Sequence, residues 1–357
     1  MRATLSRAKR PDPVNRLPQV VAGGQPAVSA SAGRVEAIIC ALNGVVGDYL
    51  RDRGNGLAIS MELRHRCASL SCDREGISRA YPAATGKICI LVHGLGQNER
   101  TWSFPREREI SYGSLLQEDL GYTPFYVRYN TGLHISENGE SLAELIEAIV
   151  RNHPVAVEEI VLLGHSMGGL VLRSACHAGM LRGDQWVNRV KRVFYIGSPH
   201  LGAPLEKLGN VVAWALRAVG ISHTDLLADV INLRSSGVKD LRFANLVRQD
   251  WEGFDPDALL ENRRTPVPVL SGATHHLLVG TLAGDERQLV TALFGDSMVR
   301  VSSAAGRCSD DSNIPALPQN NVRIFPGVTH GALAHDSGVY AEIKTWCAAD
   351  ARGEVIG

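Results

Sequence analysis

The feature that most constrains this chain is the stretch Gly164-His165-Ser166-Met167-Gly168-Gly169, set between segments of opposite periodicity. Before it, Glu159-Ile160-Val161-Leu162-Leu163 is a continuous apolar run of the kind shown by a strand buried on both faces. After it, Leu170, Val171 and Ala175 fall at helical spacing. A strand that passes directly into a helix through G-x-S-x-G must turn sharply, which strains the serine backbone and leaves its Oγ exposed. Gly164 and Gly168 let neighbouring segments approach where a Cβ would clash. The helix N-terminus behind Ser166 favours a developing negative charge. With these flanks the pattern reads as a nucleophilic serine rather than a surface serine in a glycine-rich turn.

The same strand style recurs in Lys87-Ile88-Cys89-Ile90-Leu91-Val92, in Pro124-Phe125-Tyr126-Val127-Arg128-Tyr129 and in Arg192-Val193-Phe194-Tyr195-Ile196. Helical stretches separate these runs, and Ser141-Leu142-Ala143-Glu144 reads as a capping box ahead of Leu145, Ile146 and Ile149. Strand and helix in alternation predict an α/β fold, a parallel sheet covered on both faces. After Pro204 the rhythm stops for about sixty residues and resumes at Pro268-Val269-Leu270-Ser271-Gly272-Ala273, which predicts an inserted helical cap over about 205–265. A last strand at Asn321–Phe325 and a terminal helix from about Val339 to Trp346 close the order.

Three parts are expected. Residues 1–33 carry Arg2, Arg7, Lys9, Arg10 and Arg16 against Asp12 and read as a disordered basic tail. Residues 34–84 read as a helix over 34–50, weakened by Gly44 and Gly47, followed by a hairpin of Leu57–Leu63 with Cys67–Leu70. Residues 85–350 form the main domain with its cap. The 37 Lys+Arg equal the 37 Asp+Glu, so no global field draws in nucleic acid or an anionic membrane. Val20-Val21-Ala22 before Gly23-Gly24 is too short for the roughly 7–15 apolar residues of a secretory signal, and no stretch approaches the roughly 18 of a membrane span. The expectation is a cytoplasmic protein without an integral membrane segment. Seven cysteines, an odd set without zinc-ligand spacing, read as reduced thiols.

A second chemical signal lies in Val92-His93-Gly94-Leu95-Gly96, again at the end of a buried strand. Acyl transfer generates an oxyanion that needs two preorganised backbone N–H donors. The residue after the nucleophile, Met167, supplies one, and Leu95 is the natural other.

These motifs resemble the α/β-hydrolases of the lipase/esterase type, in their bacterial branch with GHSMGG and an HGL strand end. The likeness is specific in Leu91–Trp102, Leu162–Arg173 and Gly197-Ser198-Pro199-His200-Leu201-Gly202-Ala203-Pro204, and looser over about 85–350. The resemblance implies the α/β-hydrolase fold, with a mostly parallel sheet, and a triad in the chain order Ser, acid, His. It places the base at His330, just after the final strand, ahead of His335 as nearest competitor and of His177, His200, His223, His275 and His276. It places the acid at Asp296, in Gly295-Asp296-Ser297-Met298-Val299-Arg300, although Ser297 and Arg300 stand where the family usually has Gly and Pro. Asp285, Asp310 and Asp311 are the runners-up. His93 and His165 read as packing residues near the site, and His200 as structural.

The implied activity is hydrolysis of carboxylic esters through an acyl-serine, needing no metal or organic cofactor. The apolar run Val211, Val212, Trp214, Ala215, Leu216, Val219 fits either a cover for an acyl pocket or a helix packed for stability. The loop from Asn130 to Gly139 should border the site mouth. The expected partner is a small-molecule or lipid acyl ester. Two further readings remain: an acyltransferase or deacylase using the same acyl-serine, and a non-catalytic hydrolase fold that binds a partner.

Overall fold

The structure, a computed structural model, describes residues 30–202, 235–253, 264–281 and 321–349. Its frame is an eight-stranded sheet: β1 (Glu62–His65), β2 (Ala68–Leu70), β3 (Lys87–Val92), β4 (Thr123–Arg128), β5 (Glu159–His165), β6 (Val190–Ile196), β7 (Thr274–Thr281) and β8 (Val322–Pro326). The spatial order is β2-β1-β4-β3-β5-β6-β7-β8. The six strands from β4 to β8 in that order pair in parallel, and β1 runs antiparallel to β2 and β4.

Period-two side-chain alternation explains why the strand sequences look apolar throughout. Ile88, Ile90 and Val92 of β3, with Ile160 and Leu162 of β5, enter one core, while Cys89, Leu91, Val161 and Leu163 enter the other. The first core is closed by α4 (Ile135–Asn152) and α5 (Met167–Arg182), through residues such as Leu142, Ile146, Leu170 and Val171. The second is closed by α3 (Tyr112–Leu120) and, at the chain's end, α7 (Ser337–Ala349), through Tyr112, Leu116, Val339 and Ile343. The remaining α-helices among the described residues are α1 (Ala30–Asp52), α2 (Arg74–Ala80) and α6 (Ser236–Phe243). Helix α1 is tied to the sheet by Glu36, whose carboxylate pairs with Arg64 at 3.2 Å and Arg128 at 3.3 Å.

Several local expectations shift. The alternating residues from Leu57 to Met61 are not a strand: the Asn43 amide on α1 donates to the Leu57 carbonyl at 2.8 Å and accepts from the Ile59 N–H at 2.9 Å. One side chain thus does there what a neighbouring strand would do. Helix α4 begins two turns before Ser141, because its first donors find acceptors there, one distant and one in its own first turn. The buried Asp240 carboxylate accepts from Ile135 N at 2.9 Å, and Glu137 accepts from His134 N at 3.3 Å. The run Pro268–Ala273 is irregular chain and a turn, and the strand starts only at Thr274, where pairing with β6 begins. Of the expected cap, 205–234 and 254–263 lie outside the described residues, as do residues 1–29 of the expected tail; 235–253 holds α6 and a single 3-10 turn at Arg248–Asp250.

Candidate active site

In this strand order, the chain leaves β3 toward β4 on one side and leaves β5 toward β6 on the other. The loops at the carboxyl ends of β3 and β5 therefore diverge and open the crevice in which ligands of α/β sheets bind. Both sequence motifs end at that crevice.

Ser166 occupies the turn between β5 and α5 with φ 53° and ψ −122°, a conformation a non-glycine residue adopts only at a cost of order 1–3 kcal/mol. Its N–H donates to the Ile196 carbonyl at 2.8 Å, pinning the turn to β6. The flanking glycines are a packing requirement. A Cβ on Gly164 would lie 2.6 Å from Gly169 Cα, and one on Gly168 would lie 2.2 Å from the Val92 carbonyl oxygen. Helix α5 thus crosses the sheet at backbone contact, and Met167, its first residue, carries an N–H that the helix itself cannot satisfy.

The turn after β3 presents Leu95 in a defined way. Gly94 N donates to Gln97 Oε1 at 3.0 Å, Gly96 N to Thr131 Oγ1 at 3.0 Å and Gln97 N to the Gly94 carbonyl at 3.2 Å. The Leu95 N–H, between them, has no acceptor among the described residues. A Cβ built on Gly94 would stand 3.0 Å from Ser166 Cβ, so this turn abuts the serine.

His330 reaches the same place by the short loop that follows β8. The chain leaves β8, the sheet edge, turns at Gly327 (φ 78°) and crosses β7, where the Val328 carbonyl lies 2.3 Å from a Cβ position on Gly280. It ends with the His330 ring against Gly197 at the end of β6; a Cβ there would be 3.0 Å from His330 Nδ1. The ring centroids of His330 and His165 are 4.9 Å apart, and His165 Nε2 donates to the His330 carbonyl at 2.9 Å. On its other side His165 Nδ1 lies 2.9 Å from Gln97 Oε1, so the buried ring sits between the loops that follow β3 and β8 but, being neutral, donates to one of them only. Burial above all, and next the neighbouring His330, push His165 down to about 3. His93 is pushed to about 4 by burial; its Nδ1 donates to the Gly94 carbonyl at 3.0 Å and its ring stacks on Tyr129. Both rings are neutral near pH 7.

The competing histidines are occupied elsewhere. His335 Nδ1 donates to the Thr101 carbonyl at 3.2 Å. His275 donates from Nε2 to the Leu270 carbonyl at 3.0 Å, and His276 packs between Phe194 and Trp346. His200 is buried edge-on against Tyr195. Ser166, Met167, Leu95 and His330 are thus gathered at one crevice, whereas Asp296, its runners-up Asp285, Asp310 and Asp311, and His223 lie outside the described residues. Sequence reasoning passed over Gln97, whose only signal is its position just after a strand end, whereas Thr131 falls in the loop expected to border the site mouth. Among the described residues no group of three His, Cys, Asp or Glu side chains could hold a metal ion. Nor is any described helix long and apolar enough to cross a membrane.

Residues 83–234 match the family model described as "Putative serine esterase (DUF676)". The architecture, an eight-stranded and mostly parallel sheet with helices on both faces, is the α/β-hydrolase fold. Among solved structures, the chain is similar to a lipase of Bacillus licheniformis, at 16% identity and TM-score 0.41, over 77% of this chain and 94% of that one. It is likewise similar to a thermophilic esterase of Thermogutta terrifontis (16%, TM-score 0.40, 74% and 90%) and an esterase of Pyrococcus furiosus (16%, TM-score 0.38, 75% and 82%). No curated protein sequence matches the chain. The class that the matched segment supports is an ester hydrolase.

Proposed function

We propose that the protein hydrolyses carboxylic esters through an acyl-serine intermediate. In this reading Ser166 Oγ attacks the ester carbonyl while His330 takes its proton, and Asp296 holds the imidazole in the productive tautomer and stabilises its charged form. The N–H groups of Leu95 and Met167 receive the developing oxyanion. The alcohol leaves with the proton from His330. Water, deprotonated by the same ring, then attacks the acyl-serine and releases the acid.

The observation that carries the reading is the Leu95 amide: in a turn whose other N–H groups all have protein acceptors, it has none among the described residues, and the turn lies against Ser166. A buried donor left open in this way is costly unless a ligand or transition state uses it. Neutral His93 and His165 bring no positive charge to the crevice that would bind a free carboxylate product. The substrate class is an acyl ester of short to medium chain, small molecule or lipid. The test is initial rates on p-nitrophenyl esters from acetate to palmitate, with wild type and Ser166→Ala at equal folded concentration. Activity present in wild type and lost in the variant is expected; equal rates in both proteins would overturn the reading.

A further inference from the structure

Helix α1 lies outside the matched segment and takes no part in the chemistry above, yet it is in backbone contact with the turn that carries the Leu95 amide. A Cβ on Gly44 would stand 2.9 Å from Gly96 Cα, 3.0 Å from Gly96 N and 3.3 Å from Thr131 Oγ1. That same Thr131 Oγ1 accepts the Gly96 N–H at 3.0 Å. From the other side, a Cβ on Gly132 would lie 2.2 Å from the Asn43 carbonyl of α1. The turn is therefore held between α1 and the chain after β4.

The helix is itself shaped for this contact. Val46 leaves helical geometry (φ −135°, ψ 25°), and the carbonyls on either side of it take donors from elsewhere. Gly44 O accepts from Ser235 Oγ at 2.7 Å, and Gly47 O accepts from Asn130 Nδ2 at 2.9 Å. The glycines that weaken α1 as a helix thus sit where it meets its neighbours.

We propose that Gly44 of α1 and Thr131 are positioning residues for acyl transfer: by clamping Gly96 they fix the direction in which the Leu95 N–H points. The proposal rests on the reading of that N–H as an oxyanion donor. Neither residue touches the substrate. An amide that swings off line loses more with the tetrahedral oxyanion than with the ground-state carbonyl, so the loss falls on kcat rather than KM.

Four single variants of the full chain test this. Thr131→Val removes the acceptor at nearly constant shape, and Thr131→Ser keeps it. Gly44→Ala places a methyl against Gly96 backbone, although the same change ordinarily stabilises a helix. Gly33→Ala, on the same helix, meets only the movable guanidinium of Arg100, at 3.2 Å. Each is assayed for p-nitrophenyl ester turnover, for the rate of Ser166 phosphonylation by a fluorophosphonate, and for its melting temperature. Thr131→Val and Gly44→Ala are expected to lower kcat and slow phosphonylation by about tenfold or more, with KM within about twofold. Thr131→Ser and Gly33→Ala should match wild type. Wild-type rates in folded Thr131→Val, the milder change, overturn the proposal, as does an equal loss in Thr131→Ser. Labelling of wild type at Ser166 with unaffected variants defeats the proposal alone, whereas wild type that is never labelled at Ser166 defeats the serine-hydrolase reading and the proposal with it.

Discussion

His165 Nε2 donates to the main-chain oxygen of His330 at 2.9 Å, so the residue that precedes the elbow serine holds the loop bearing the candidate base. The two residues are 165 positions apart in the chain and meet because the loop after the edge strand β8 folds back over three strand ends. His165 is fully buried, which makes its ring a rigid spacer rather than a proton carrier.

His165→Phe keeps a ring of similar size and removes the donor. The His330 carbonyl then loses a buried partner and its loop an anchor, so kcat on p-nitrophenyl esters should fall about tenfold to hundredfold with KM little changed. Circular dichroism on the same sample checks that the fold survives. Unchanged kcat would show that the bond does not position the base.

Gly197 and Gly183 both have left-handed backbones, φ 64° and 72°, but differ in what surrounds them. A Cβ on Gly197 meets the His330 ring at 3.0 Å and Leu333 at 3.1 Å, whereas one on Gly183 meets nothing within 4 Å. Each alanine variant should lose about 1–2 kcal/mol of stability from the backbone conformation alone. Only Gly197→Ala should also lose ester hydrolysis, by about tenfold or more, because the imidazole must move. Urea unfolding read beside turnover separates the two effects.

Stability should fall steeply on mild acidification. Burial holds His93 at about 4 and His165 and His276 at about 3, against 6.5 for the free side chain, and pushes His200 well below that value. Below pH 6.5 the unfolded chain binds these protons and the folded chain does not, so each group weakens the fold as pH drops, until its folded value is reached. Each contributes a slope of up to about 1.4 kcal/mol per pH unit. Urea midpoints at pH 7.5, 6.5, 5.5 and 4.5 should decline with the uptake of several protons, and His276→Gln should flatten the decline. A flat profile down to pH 4.5 would contradict this.

Asp240 is buried and accepts from Ile135 N at 2.9 Å, His134 Nδ1 at 2.9 Å and Asn245 Nδ2 at 3.2 Å. Burial raises its carboxyl, and these donors counter that. Asp240→Ala leaves Ile135 N and His134 Nδ1 unpaired at the start of α4 and Asn245 Nδ2 unpaired just after α6, at a cost of about 2–4 kcal/mol in chemical denaturation. A loss below about 0.5 kcal/mol would mean that α4 does not depend on this carboxylate for its start.

The parallel strands were legible because double-sided burial leaves a local record: Ile88 to Val92 are apolar in succession and divide between two cores. The elbow was legible because its strain and close packing need glycine at set offsets from Ser166. The start of α4 was misread because the true cap, Asp240, lies 105 residues away. The stretch Leu57–Met61 was misread because an asparagine on α1 takes the place of a strand. Asp296 lies outside the described residues and stands on the family resemblance alone.

By itself the sequence determined the kind of elements, their rhythm, and a serine held in a strained turn, since each of these depends on steric and burial preferences acting within a few residues. Tertiary structure decided the strand order, which opens the crevice between β3 and β5, and the return of His330 over Gly197. It also decided that among the N–H groups of one short turn the Leu95 amide alone lacks an acceptor among the described residues, and that Gly44 lies against that turn. The reason is physical: a hydrogen-bond acceptor or a close backbone contact can come from any distance along the chain, so a local pattern records the need for one but not its source.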